Sequence, residues 1–176
     1  MKRLALMRHA NSSWALSNLA DRNRPLSVHG ERDAPKMARR MLTHTYQPSL
    51  IISSPAVRAL TTAKIVGETL GYALRLIHTE EKLYMATADE ILAVVSVQKD
   101  NYLDLLLVGH NPGMTNLANI LLPHLVLDNM PTASLLTIEF MTDHWARLAK
   151  TQGRLVYFDS PRTCDLLITE KKKNTD

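Results

Sequence analysis

Cysteine is nearly missing from this chain: Cys164 is the only one in 176 residues. A lone thiol closes no internal disulfide and builds no cysteine-rich metal site, and it fits a reducing compartment. Aromatic residues are scarce at 5%, too few to interleave with a basic stripe as a nucleic-acid surface requires. No apolar run approaches the roughly 20 residues that span a bilayer. Met1-Lys2-Arg3 imitates the start of a signal peptide, but only Leu4 to Met7 follow before Arg8, against about 7–15 apolar residues in a secretory segment. The expectation is a cytoplasmic protein that engages neither nucleic acid nor membrane. An excess of charge of either sign is also lacking. The net +4 is modest, Lys171-Lys172-Lys173 supplies three of those charges, and the balance is compatible with an anionic substrate.

What is present is ordinary globular material, 45% apolar and 22% charged, in a length suited to one domain with a sizeable core. We expect that domain over residues 1–163 and a mobile tail over 164–176. Short apolar runs alternate with helical patterns. Strands are expected at Arg3–Arg8, Ser49–Ser53, Ala73–Ile77, Asp104–Val108 and Ala133–Phe140, with a final hairpin from Trp145–Ala149 to Leu155–Phe158. Helices are expected at Val28–Leu42, Ala56–Leu70, Ala88–Gln98 and Met114–Leu122. Ser27 is a candidate N-cap for the first, with Glu31 one position late for a capping box. Pro35 should kink that helix or mark its effective start. Gly71 and Pro123 read as stops for the second and fourth. Strands alternating with helices imply βαβ units, a mostly parallel sheet and helices on both faces. Ligands in such sheets bind at the carboxyl ends of the strands.

Two strand ends carry a histidine. The run Leu4-Ala5-Leu6-Met7 ends in Arg8-His9, and Leu105-Leu106-Leu107-Val108 ends in Gly109-His110. The carboxyl-end rule sets both on one rim. His9 is the candidate nucleophile, because a neutral imidazole can take up a phosphoryl group and split one hard transfer into two easier ones. That role needs one ring nitrogen bonded to a carbonyl so that the other keeps its lone pair. Arg8 and Arg58 are candidate clamps, since the guanidinium fork is bidentate toward phosphate oxygens and permanently charged. Arg58 stands early in a helix introduced by Ser53-Ser54-Pro55, where free N–H groups also favour an anion. His110 could stabilise the charge that builds in the transition state. The remaining histidines show no paired spacing on a helix face, so no metal site and no cofactor are expected. Trp14, in the loop just after His9, reads as a packing residue with the mouth of the pocket as the alternative, and Arg32-Asp33 as a local helix ion pair.

Several ordered motifs then fall into one pattern. Leu6-Met7-Arg8-His9-Ala10, Arg24-Pro25-Leu26-Ser27, Gly30-Glu31-Arg32-Asp33-Ala34, Ser53-Ser54-Pro55-Ala56-Val57-Arg58-Ala59 and Val108-Gly109-His110-Asn111-Pro112-Gly113 resemble the histidine phosphatase superfamily. Their wording and order are similar to its compact SixA-type phosphohistidine phosphatases. Leu83-Tyr84-Met85-Ala86 and Met130-Pro131-Thr132-Ala133 add to the likeness, which runs from about Met1 to Phe140. The resemblance implies a three-layer α/β/α fold of the phosphoglycerate mutase-like kind and no metal. It implies that His9 is phosphorylated in the cycle, that Arg8, Arg58 and His110 form the phosphate pocket, and that Ser12 adds a phosphate contact. Water would release inorganic phosphate and restore the enzyme.

Two departures bear on the chemistry. Ala10 stands where the superfamily usually has glycine, a change at home in the SixA branch. Asn111 stands where phosphatases with an acidic residue after the second histidine protonate an alcohol leaving group. Mutase-like members use a glutamate between the second and third motifs, a region holding Glu80 and Glu81, and Glu81 is the candidate general acid. A departing imidazole can be protonated before the P–N bond breaks, so phosphohistidine needs little acid catalysis, whereas an alkyl ester needs much. The expected activity is therefore removal of phosphate from protein phosphohistidine on a phosphotransfer domain or carrier. The rivals are a phosphomonoesterase for sugars or other metabolites using the same residues, and a non-catalytic phosphate-binding module.

Overall fold

The computed structural model describes residues 1–15 and 18–162. The tail expected at 164–176, with Cys164 and the three lysines, lies outside them. Six strands form one sheet: β1 (Lys2–Arg8), β2 (Leu50–Ser53), β3 (His78–Thr79), β4 (Asp104–Gly109), β5 (Leu135–Phe140) and β6 (Gly153–Asp159). Their order is β3-β2-β4-β1-β5-β6. The pairs β3/β2, β2/β4 and β4/β1 are parallel, while β5 runs antiparallel to both β1 and β6. The mostly parallel α/β sheet expected from the alternation is the one observed.

β1 shows why the sequence takes this form. Leu4 and Leu6 face one layer, Ala5 and Met7 the other, and all four are fully buried. A strand covered on both faces reads as an unbroken apolar run rather than an alternating one. Helices α1 (Val28–Thr43) and α2 (Val57–Thr69) cover one face through Met37, Met41, Ala63 and Val66. Helices α3 (Ala88–Ser96) and α4 (Gly113–Leu121) cover the other through Ile91, Val95, Leu117 and Ala118. Three of the helix ends have a plain chemical cause. Ser27 caps α1 by accepting from the Gly30 N–H at 3.2 Å, and Thr87 with Glu90 forms a reciprocal capping box on α3. Gly71, at φ +70°, turns the chain after α2.

Three expectations are corrected. Ala73–Ile77 holds a 3₁₀ turn (Leu74–Leu76), and the edge strand is only His78–Thr79. Leu74 and Leu76 are exposed, and their alternation imitates a strand without a neighbour to pair with. Trp145–Ala149 lies in a 3₁₀ helix (Trp145–Lys150) whose two buried side chains, Trp145 and Leu148, stand three apart, the period of that helix. β6 pairs directly with β5. Finally, α1 does not begin at Pro35 but at Val28 and continues past it, because the missing N–H frees only the carbonyl of Glu31, an exposed residue.

Register sets the site. Arg8 lies opposite Gly109 where β1 and β4 end together, and the His9 N–H donates to the Gly109 carbonyl at 3.0 Å. The Ser54 N–H donates to the Val108 carbonyl at 3.0 Å, so the segment leading into α2 begins on the same rim. Three strand ends thus deliver His9, His110 and, one helical turn on, Arg58.

Candidate active site

His9 is 8% exposed. Its Nδ1 lies 2.8 Å from the Ala10 carbonyl. A carbonyl can only accept, so Nδ1 carries the proton and Nε2 keeps its lone pair. Arg58 Nε donates to that lone pair at 3.3 Å. Burial, together with the charges of Arg58, Arg8 and Arg24, pushes the His9 pKa down to about 4. The imidazole is neutral at pH 7, with its free nitrogen turned toward a guanidinium. The loop that follows is fixed by the Ala10 N–H, which donates to Thr62 Oγ1 on α2 at 3.0 Å.

Arg58 is 3% exposed and each of its three nitrogens has a partner. Nη1 donates to the Asp21 backbone carbonyl at 2.6 Å and Nη2 to Asp21 Oδ2 at 2.9 Å. Asp21 also accepts from Arg24 Nη1 at 2.9 Å and from the Tyr84 hydroxyl at 3.0 Å. Burial works against its ionisation, but the hydrogen bonds from Arg24, Tyr84 and Arg58 outweigh that and hold the carboxyl at about 2. One ionised carboxylate therefore ties two arginines to the wall of the cleft. Arg24 in turn donates to Ser12 Oγ at 2.6 Å and lies 3.2 Å from the centroid of the Trp14 ring.

His110 sits 5.1 Å from His9, ring centroid to centroid. Its Nδ1 faces Arg58 Nη2 at 3.4 Å and its Nε2 lies 2.7 Å from Ser54 Oγ. Since the guanidinium can only donate, the neutral ring has its proton on Nε2 and gives it to Ser54. Burial, then the charges of His9, Arg58 and Arg8, push His110 down to about 3. Tyr84 meets the ring edge-on. Arg8 is held by the Met130 carbonyl at 2.7 Å, and Asn111 Nδ2 donates to the same carbonyl at 3.0 Å. Burial lowers the Arg8 pKa.

His9, Arg8, Arg58, His110 and Ser12 all line one cleft of about 350 Å³. Glu81 is not brought to it: its carboxylate is exposed and both its oxygens accept from Arg22 Nη2, at 2.7 and 2.8 Å. Glu80 caps the turn it precedes by accepting from the Lys82 N–H. Trp14, expected in the packing, stands 78% exposed at the cleft mouth. Arg32 and Asp33 pair as expected, at 3.0 Å. Asp21 and Ser54 were not singled out from the sequence for a role, although Ser54 and Arg24 lie inside the recognised motifs. Among the described residues, no three His, Cys, Asp or Glu side chains are placed to hold a metal, and no helix is long and apolar enough to cross a membrane.

Residues 4–84 match the model of the histidine phosphatase superfamily, branch 1. The fold and the sequence also match a protein taken to be the phosphohistidine phosphatase SixA of Agrobacterium tumefaciens. That likeness has 26% identity and a TM-score of 0.75, covering 91% of this chain and 98% of the other. Over residues 4–84 the chain is similar to the histidine phosphatase superfamily. It is 33% identical, over 128 residues, to an uncharacterized chloroplastic protein of Arabidopsis thaliana. The matched stretch is 68% of this chain and 59% of that relative. A mycobacterial glucosyl-3-phosphoglycerate phosphatase, solved with VO3, shares the fold at TM-score 0.68 and 18% identity, over 91% of this chain and all of the other.

Proposed function

We propose that this chain is a histidine phosphatase superfamily member that removes phosphate from protein phosphohistidine by way of a phosphohistidine of its own on His9. The state of the His9 ring carries the reading: Nδ1 is committed to the Ala10 carbonyl, and Nε2 keeps a lone pair in a cleft lined by Arg8, Arg58 and His110. In the first step Nε2 attacks phosphorus. The new N–P bond forms as the substrate's P–N bond breaks, and the electron pair becomes the lone pair of the leaving nitrogen, whose imidazole departs neutral because its other ring nitrogen already carries a proton. In the second step water attacks phosphorus, the pair of the His9 N–P bond returns to Nε2, and inorganic phosphate departs. Arg8 and Arg58 meet the charge on the transferring oxygens, His110 holds Arg58 Nη2 through its Nδ1 lone pair, and Ser12 adds a polar wall. Arg58→Ala and His110→Ala should each cost on the order of 10²-fold or more in kcat/KM.

The choice of substrate rests on the missing acid. Asn111 has no acidic proton to give, Asp21 is ionised at any working pH, and Glu81 is occupied by Arg22 outside the cleft. A leaving imidazole tolerates this and a sugar alkoxide does not. The described part of the segment between Ala10 and Leu26 builds one bridge, Ser12 to Leu26, and a 3₁₀ turn at Asp21–Asn23. With no lid domain there, the cleft suits a histidine standing proud on a phosphotransfer domain or carrier protein.

The test is phosphate release from a phosphohistidine-bearing protein, an aryl phosphate and a sugar phosphate, by wild type and Glu81→Gln. The reading expects preference for the phosphohistidine protein and almost no effect of the Glu81 change. Preference for the sugar phosphate, with loss of about 10²-fold or more in Glu81→Gln as for a needed general acid, would make the enzyme a metabolite phosphatase instead.

A further inference from the structure

A second cleft, of about 480 Å³, opens beside the first and shares Arg8, Asn11 and Thr132 with it. Its far wall is the first turns of α1, which contribute Arg32 and Asp33, and the segment after β6, which contributes Arg162. Three guanidiniums, Arg8, Arg32 and Arg162, face a single carboxylate, Asp33, which is already paired with Arg32 at 3.0 Å. The segment carrying Arg162 is fastened to α1. Arg40 Nη1 donates to Asp159 Oδ1 at 2.6 Å and to the Ser160 carbonyl at 2.9 Å, and Lys36 Nζ donates to the Pro161 carbonyl at 2.7 Å. These bonds keep the exposed Arg162 on the rim of the cleft. The phosphate chemistry of the first cleft uses Arg8 from one side and leaves Arg32 and Arg162 without a part.

We propose that this cleft is a second anion subsite, taking a carboxylate or further phosphate group carried by the same substrate whose phosphoryl group meets His9. The inference rests on the phosphatase reading above and adds a specificity to it. Asn11, Asn129 and Thr132 set polar groups among the arginines, so a hydrated anionic group finds hydrogen-bond partners there. Arg8 stands between the two clefts, so both anions lie within reach of one guanidinium and their spacing is short. Two sources carry such a pair: an acidic side chain next to phosphohistidine on a protein, or a second acid group on a small phosphorylated metabolite.

The test is calorimetric and needs no turnover. Wild type is titrated with methylphosphonate, phosphonoacetate and 3-phosphonopropionate, which present the same phosphonate without or with a carboxylate. A carboxylate reaching partly exposed arginines should tighten binding about fivefold, and raising the salt should shrink that gain. In Arg162→Gln and Arg32→Gln the gain should fall away while methylphosphonate affinity stays unchanged. Arg32→Gln also strips Asp33 of its partner, so Arg162→Gln is the cleaner variant. Equal affinity for all three probes in wild type, or a gain untouched by both variants, overturns the subsite. Failure of methylphosphonate itself to bind would instead overturn the phosphate reading of the first cleft. Peptides with a stable phosphohistidine analogue flanked by Glu or by Gln then separate the sources. A Glu preference lost in Arg162→Gln assigns the subsite to protein substrates, and its absence beside a phosphonocarboxylate gain assigns it to small ones.

Discussion

The His9 and His110 imidazoles are neutral in the folded protein because burial and nearby positive charge oppose protonation, holding them at about 4 and about 3. In the unfolded chain both return to about 6.5. Between those values the unfolded state binds more protons, so stability rises with pH there. Their contribution is complete above pH about 6.5 and drains away on acidification through about 4 and 3. The melting temperature should hold level above pH 7 and fall below pH 6.5, and His110→Gln should flatten that fall. Parallel melting curves for wild type and variant from pH 7 to 4 would contradict the burial account. Asp21 holds Arg58 and Arg24 by charge. Asp21→Asn should lower kcat by about tenfold or more through misaimed guanidiniums. It should also tighten inhibition by inorganic phosphate, because a competing negative charge is gone. Steady-state kinetics with phosphate as product inhibitor reads both effects. The sequence announced His9, Arg8, Arg58 and His110 because each ends a strand or opens a helix at a recognisable motif. Asp21 is silent because its contact with Arg58 spans 37 residues of chain and nothing local marks it, and Ser54, though inside a motif, shows no role because its partner His110 stands 56 residues on.

The elements were legible where burial makes a continuous pattern. β1 and β4 are apolar runs with a neighbour on each side, and both were placed to within about a residue or two, the ordinary uncertainty of such boundaries. The elements misread are short and lie at the periphery. The 3₁₀ turn at Leu74–Leu76 is exposed, and the Trp145–Lys150 helix buries only every third residue, so neither follows a period of 2 or 3.6 for long enough to be recognised. One glycine ties an element to the site. A Cβ on Gly30 would stand 2.1 Å from the Asn11 backbone oxygen, where α1 presses on the loop after His9. The Asn11 carbonyl also accepts the Ser27 N–H at 2.9 Å. Gly30→Ala must therefore displace backbone, and a cost of about 1–3 kcal/mol is expected from overpacking. Denaturant unfolding should show that loss together with reduced kcat, since the moved loop carries the nucleophile's neighbours.

At the scale of the molecule, two apolar layers on the two faces of one sheet fix where the strands end, and the strand ends make the site. Residues far apart in sequence, at 8–9, 58 and 109–110, meet because β1 and β4 are parallel neighbours in register and α2 starts beside them. That much follows from alternating strands and helices and from the carboxyl-end rule. The cation-lined second cleft did not, because it needs the segment after β6 to return against α1. The central claim is that His9 carries the phosphoryl group. It is tested most directly by mixing the enzyme with a phosphohistidine-bearing protein labelled in its phosphate, quenching in alkali within one turnover, and locating the label by mass spectrometry. The account predicts label on Nε2 of His9, absent from His9→Ala along with turnover. Phosphate release with no label passing through His9, or an active His9→Ala enzyme, would contradict it.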